Sequence, residues 1–116
     1  MSDEIERPLH FIREKAKEYA QAKANRIYLS EFRKSKKAIL MVIAEQRTQK
    51  TTVSERENFA YSHPEYLELL EGLKVAIEIE EHLALDIEAA RLSVEIWRTR
   101  QANERAERHS YGVNNG

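Results

Sequence analysis

The chain has no cysteine, which excludes disulfides, thiolate metal sites and cysteine nucleophiles. Glycine is nearly absent: Gly72 stands alone before Gly112 and Gly116 in the tail. No glycine-rich loop of the kind that cradles phosphates can therefore form. The only prolines are Pro8 and Pro64, so long stretches run without a helix breaker. Long hydrophobic runs are missing as well. The longest, residues 38–44, falls far short of the roughly 20 apolar residues that span a bilayer. The opening MSDEIERP is charged and lacks the apolar segment of a secretory signal. These absences point to a cytoplasmic protein with no membrane partner. Serines 30, 35 and 93 lie in helical stretches, not on strand–turn–helix elbows. No enzyme activity, no catalytic residue and no cofactor are expected.

What is present is helical periodicity. Eleven positions follow one another at alternating three- and four-residue spacing: Tyr66, Leu69, Leu73, Ala76, Glu80, Leu83, Ile87, Ala90, Val94, Trp97 and Gln101. Only Glu80 and Gln101 among them are polar. Such a stripe runs along one face of a long helix and must pack on another helix. Upstream, no breaker occurs between Pro8, which suits a first helical turn, and about Arg47. That stretch carries a small-residue stripe (Leu9, Ile12, Ala16, Tyr19 or Ala20, Ala24, Ile27) and a bulkier one (Tyr28, Phe32, Ser35, Ile39, Val42). A phase slip near residues 25–29 would join them into one packing face.

Residues 46–54 are polar and threonine-rich and read as the connection. Thr52 with Glu55, and Ser54 with Glu57, each fit a capping box for a short helix over about 54–61. Ser62 followed by Pro64 and Glu65 reads as the start of the second long helix, with Ser62 as its cap. The expected fold is all-α: a long antiparallel, coiled-coil-like hairpin with a short connecting helix. Residues 8–107 form the single hairpin domain, between a frayed 1–7 and a disordered tail at 108–116.

A further row on the second helix, Val75, Ile79, Leu85, Ala89, Leu92 and Ile96, lies on roughly the opposite face from the first. One neighbouring helix shelters only one stripe, so this row is the expected oligomer or partner interface. Self-association into a bundle of hairpins is the primary expectation. The alternative is that a wide-wrapping first helix covers part of both rows.

Charge is uneven although the net charge is −1. Residues 1–50 hold 12 Lys and Arg against 7 Asp and Glu, and residues 51–116 hold 7 against 13. The halves should attract as antiparallel neighbours. Arg33, Lys34, Lys36 and Lys37, continued by Arg47 and Lys50, circle the first helix. These six are the candidate nucleic-acid contacts, able to neutralise phosphates, with Tyr28 and Phe32 nearby as stacking groups. The competing reading pairs them with Glu65, Glu68, Glu71, Glu78, Glu80, Glu81, Asp86 and Glu88, and puts both aromatics in the core. A second basic group, Arg91, Arg98, Arg100, Arg105 and Arg108, complements a helix C-terminus without further function. Glu78, His82 and Asp86 share metal-ligand spacing. Glu-rich helices produce such spacing readily, so no metal is expected.

Four segments carry a family resemblance: Arg33-Lys34-x-x-Lys37-Ala38-x-Leu40-Met41, Ser54-x-Arg56-Glu57-x-x-Ala60, His63-Pro64-Glu65-Tyr66, and Glu95-x-Trp97-Arg98-Thr99-Arg100-x-Ala102. Over about residues 30–106 the chain resembles small helical hypothetical proteins of tailed bacteriophages and prophages. Its plan also resembles the UvsY-type recombination mediator. That resemblance implies a non-enzymatic accessory of DNA recombination or replication in a bacterial host cell, one that oligomerises and binds single-stranded DNA weakly. No residue-level DNA-binding motif carries over, and the acidic second half departs from the pattern. The rival expectation is a protein–protein interaction module. It would be an inhibitor of a host or defence protein using its acidic helix face as a nucleic-acid mimic, or a phage structural or scaffold component.

Overall fold

A computed structural model describes the backbone of residues 3–47 and 52–115, and the side chains of residues 3–47 and 52–110. Every described residue except Thr52 and His63 is helical. The elements are α1 (Asp3–Arg47), α2 (Val53–Ser62) and α3 (Pro64–Asn115). Contacts divide the chain into two compact units where the sequence suggested one hairpin domain. One comprises residues 1–19 with 82–116, the other residues 20–81.

In the 20–81 unit, α1 and α3 run antiparallel, since Lys36 meets Glu65 and Arg26 meets Glu80. Between them α2 turns the chain. Thr52 caps α2 as the capping box predicts: its hydroxyl accepts from the Glu55 amide at 3.1 Å, and its carbonyl accepts from Arg56 N–H at 3.0 Å. Ser62, by contrast, does not cap α3. Its hydroxyl turns back and donates to the Asn58 carbonyl at 2.6 Å. The cap is His63, whose extended backbone (φ −68°, ψ 136°) is the conformation a following proline favours. Its Nδ1 accepts from the Glu65 amide at 3.1 Å. The core of the turn is Leu40, Ala60 and Tyr66, with Met41, Ile43, Phe59 and Leu70 packed around it. Leu40 and Ala60 are fully buried.

The 1–19/82–116 unit is also an antiparallel pair, in which Glu4 reaches Arg100 at 3.5 Å. Ile5 and Val94 are its most buried apolar residues. Helix α1 starts at Asp3, ahead of the frayed 1–7 expected from sequence, and Pro8 lies inside it. Proline there forfeits one backbone hydrogen bond. The buried Ile5 and an acidic first turn of Asp3, Glu4 and Glu6 offset that loss, because carboxylates suit a helix N-terminus. At the other end α3 continues to Asn115, through residues expected to be irregular. Every described side chain from Ala102 to Ser110 is exposed.

The long α3 stripe is where its spacing put it. Tyr66, Leu69, Leu73, Ala76 and Glu80 in one unit, and Leu83, Ile87, Ala90, Val94, Trp97 and Gln101 in the other, are each buried or half-buried. The packing face of α1 matches the expected one only at Leu9, Ile12 and Tyr19. Its shielded positions are Ile5, Pro8, Ile12, Lys15 and Tyr19 in one unit, and Ala22, Arg26, Leu29, Arg33, Lys36, Leu40 and Ile43 in the other. Within each unit these positions keep a heptad spacing, with Leu9 and Phe11 in the first and Ser30, Lys37, Met41 and Ala44 in the second also shielded beside it. The bulky stripe is turned to solvent: Tyr28 is 63%, Phe32 39%, Ile39 50% and Val42 51% exposed. Ala16, Ala20, Ala24 and Ile27 of the small-residue stripe are exposed too.

Gly72 sits mid-helix in α3, and a Cβ there would meet nothing within 4 Å. It thus carries the entropic cost of helical glycine without a steric need for it. Gly72→Ala is expected to raise unfolding free energy by about 0.5–1 kcal/mol, read from urea denaturation. A destabilised variant would show that the open space at Gly72 is used.

Candidate functional site

Three sets of side chains have a claim to function: the cations of α1, the buried ion pair, and the outward apolar rows. In the 20–81 unit the cation cluster is largely engaged. Lys36 meets the Glu65 carboxylate at 2.5 Å and Lys37 meets Glu57 at 3.8 Å. Lys34 pairs with Glu31 on its own helix at 3.3 Å. Arg33 is half-buried on the packing face. Arg47 is exposed, with its guanidinium 5.9 Å from the Phe59 ring centre. Lys50 lies outside the described residues. The five described candidates therefore do not form one open basic patch.

Aromatic groups fix the cations near the turn. Lys37 lies 4.7 Å from the centre of the Tyr61 ring. The Tyr61 hydroxyl, as hydrogen-bond partner, raises the Lys37 pKa against an opposing effect of desolvation. Tyr61 stands edge-on to Tyr66 at 5.4 Å, and Phe59 edge-on to His63 at 5.5 Å. The hydrogen bond from Lys36 lowers the Glu65 pKa, helped by the same cation's charge.

Glu80 is the one carboxylate shielded inside the α3 stripe, with 7% of its surface exposed. Arg26 grips it with two hydrogen bonds, Nε to Oε2 at 2.5 Å and Nη2 to Oε1 at 3.1 Å. That bidentate contact lowers the Glu80 pKa, more than offsetting the desolvation that acts the other way. Fork-to-fork pairing of this kind carries geometric as well as electrostatic specificity. Sequence reading placed Glu80 in the stripe and among the acids facing α1. It missed Arg26, whose one signal was its heptad spacing from Leu29 and Arg33.

The outward rows are apolar and open. On α3, Val75 and Ile79 are each 50% exposed in the 20–81 unit. Leu85 (68%), Leu92 (55%), Ile96 (55%) and the exposed Ala89 form the row in the other unit. On α1, Tyr28 and Phe32 stack with ring centres 6.0 Å apart on the solvent side. In the 1–19/82–116 unit, the Trp97 indole N–H is buried without a hydrogen-bond partner. It borders a groove with Glu4, Ser93, Ile96 and Arg100. His82 Nδ1 lies 3.1 Å from Asp86, and no group of three His, Asp or Glu side chains among the described residues is arranged to hold a metal. No helix among the described residues is long and apolar enough to cross a membrane.

Comparison with known proteins finds no matching family model, no matching curated protein and no matching solved structure.

The pair at Glu80 generates a pH dependence. Its folded pKa lies below the unfolded value, so its stabilisation is present above the unfolded glutamate pKa of about 4.3. It is lost as pH falls through the lowered folded value. Glu80→Gln is expected to melt below wild type at pH 7, with the gap shrinking between pH 5 and pH 3. Circular-dichroism melts across that range check it, and a pH-independent gap would contradict the assignment.

Proposed function

We propose that the protein is a non-enzymatic assembly module that self-associates through the outward row of α3. The observation that carries this reading is the exposure of Val75 and Ile79 in one unit, and of Leu85, Ala89, Leu92 and Ile96 in the other. Full burial of one Val, Leu or Ile side chain is worth about 1.5–3 kcal/mol. Several half-exposed side chains at helical spacing therefore form a strong incentive for isologous pairing. The resemblance to phage recombination mediators supplies the context, an accessory of DNA recombination or replication whose subunits oligomerise.

A second reading is binding of single-stranded nucleic acid. One observation favours it: Tyr28 and Phe32 are stacked and solvent-facing, close in sequence to Arg33 and Lys34. Exposed aromatics beside cations suit base stacking. Engagement of Lys36 and Lys37 with Glu65 and Glu57 weighs against it, since paired cations have less charge to offer phosphates.

Light scattering over a concentration series is expected to show an oligomer, which Leu85→Asp combined with Leu92→Asp reduces in size. A wild-type monomer at every concentration would refute the assembly reading. For the second reading, a labelled single-stranded oligonucleotide titrated at low ionic strength is expected to bind weakly and be released by salt. The Arg33→Ala/Lys34→Ala double variant should bind it still more weakly. Absence of salt-dependent binding removes that reading.

A further inference from the structure

The outward row of α1 in the 20–81 unit has its own heptad register, separate from the row on α3. Tyr28, Phe32, Ser35, Ile39 and Val42 alternate by four and three residues, and all are exposed. With Phe32 and Ile39 at the a positions, Tyr28, Ser35 and Val42 fall at d, and Asn25 takes the preceding a position. The flanking g positions are then Ala24, Glu31, Ala38 and Glu45, and the e positions Leu29, Lys36 and Ile43.

We propose that this face pairs with the same face of a second copy, parallel and in register, as a two-stranded coiled-coil seam. In that arrangement each g residue meets the e residue five positions later on its partner. Ala24 meets Leu29, Glu31 meets Lys36 and Ala38 meets Ile43, so every such pair is either apolar or oppositely charged. An antiparallel arrangement sets g against g and e against e. It would bring together Glu31 with Glu45 or Ala38, and Lys36 with Leu29 or itself, giving no pair of opposite charge. Asn25 reinforces the choice, since one asparagine at an a position selects register and strand number by pairing with its own copy. Glu31 has 66% of its side chain exposed, and its pair with Lys34 on the same helix is equally exposed, so it can also reach a partner. Lys36, held by Glu65 on its own α3, would bridge two carboxylates.

The absence of native cysteine makes the orientation directly testable. The Leu85→Asp/Leu92→Asp background removes association through α3, so a dimer that persists there is independent of the reading above. In that background Val42→Cys is expected to form a disulfide-linked dimer on mild oxidation, because Val42 sits at the end of the seam and meets itself only in a parallel pair. Glu31→Lys is expected to weaken the dimer roughly three- to tenfold, and Ile39→Asp to abolish it. Three outcomes overturn the proposal. One is a monomer by light scattering with no cross-link. Another is cross-linking only when Tyr28→Cys and Val42→Cys chains are mixed, which reports an antiparallel pair. The third is a monomer whose oligonucleotide binding is lost on Phe32→Ala, which assigns the face to nucleic acid.

Discussion

A carboxylate inside an apolar stripe constrains everything around it. Glu80 interrupts the run of Tyr66, Leu69, Leu73 and Ala76, and it is as shielded as they are. Ionised, it is tolerable there only beside a cation that returns what desolvation removes. Arg26 does so with two hydrogen bonds from one planar group. Leucine or alanine layers tolerate sliding; a forked pair does not. A shift of α1 by one heptad would part Arg26 from Glu80, and even the shift that sets Arg33 against Glu80 would leave Arg26 without its carboxylate. The pair thus fixes which residues of α1 and α3 face one another in the 20–81 unit. Lys36 with Glu65 then follows in order toward the turn, where Leu40, Ala60 and Tyr66 close the core.

That register determines how α1 is rotated. To bring Arg26 and Lys36 toward the acids of α3, the helix must present residues 26, 29, 33, 36 and 40. The aliphatic stems of arginine and lysine then cover the seam while their heads reach carboxylates. The cost appears on the neighbouring face, where Tyr28, Phe32, Ile39 and Val42 are left in solvent. Charge pairing and aromatic exposure are therefore two consequences of one rotation. They bear on function in opposite directions, because the cations are engaged while the large apolar side chains become available.

The functional argument rests on that availability. Outward apolar rows on α1 and on α3 are surfaces an isolated chain has little reason to maintain at helical spacing. Neither row contains a constellation of catalytic type. The most substantial polar feature, Arg26 with Glu80, is already satisfied within the fold. What the geometry offers is helix faces to other helices.

The sequence alone determined the helical class, the Thr52 cap and the packing face of α3, because in each case one signal dominated; most of the connection at 46–54 lies outside the described residues. The stripe from Tyr66 to Gln101 is apolar at nearly every step, so periodicity and hydropathy agree. It determined the outward α3 row for the same reason. In α1 they disagree. Two rows there share heptad spacing, and the more hydrophobic one is the outer. Ranking by hydropathy chose Tyr28, Phe32, Ile39 and Val42 for the core, whereas the competing pairing of the α1 cations with the acids is what Lys36 and Glu65 form. Only the tertiary structure decided between the rows. The deciding force is electrostatic and non-local: the acids at 57, 65 and 80 act on α1 only once the chain has folded back on itself. The cap of α3 was decided by competing local bonds instead: Ser62 bonded backward to Asn58 and left the position to His63, whose backbone the following proline holds extended.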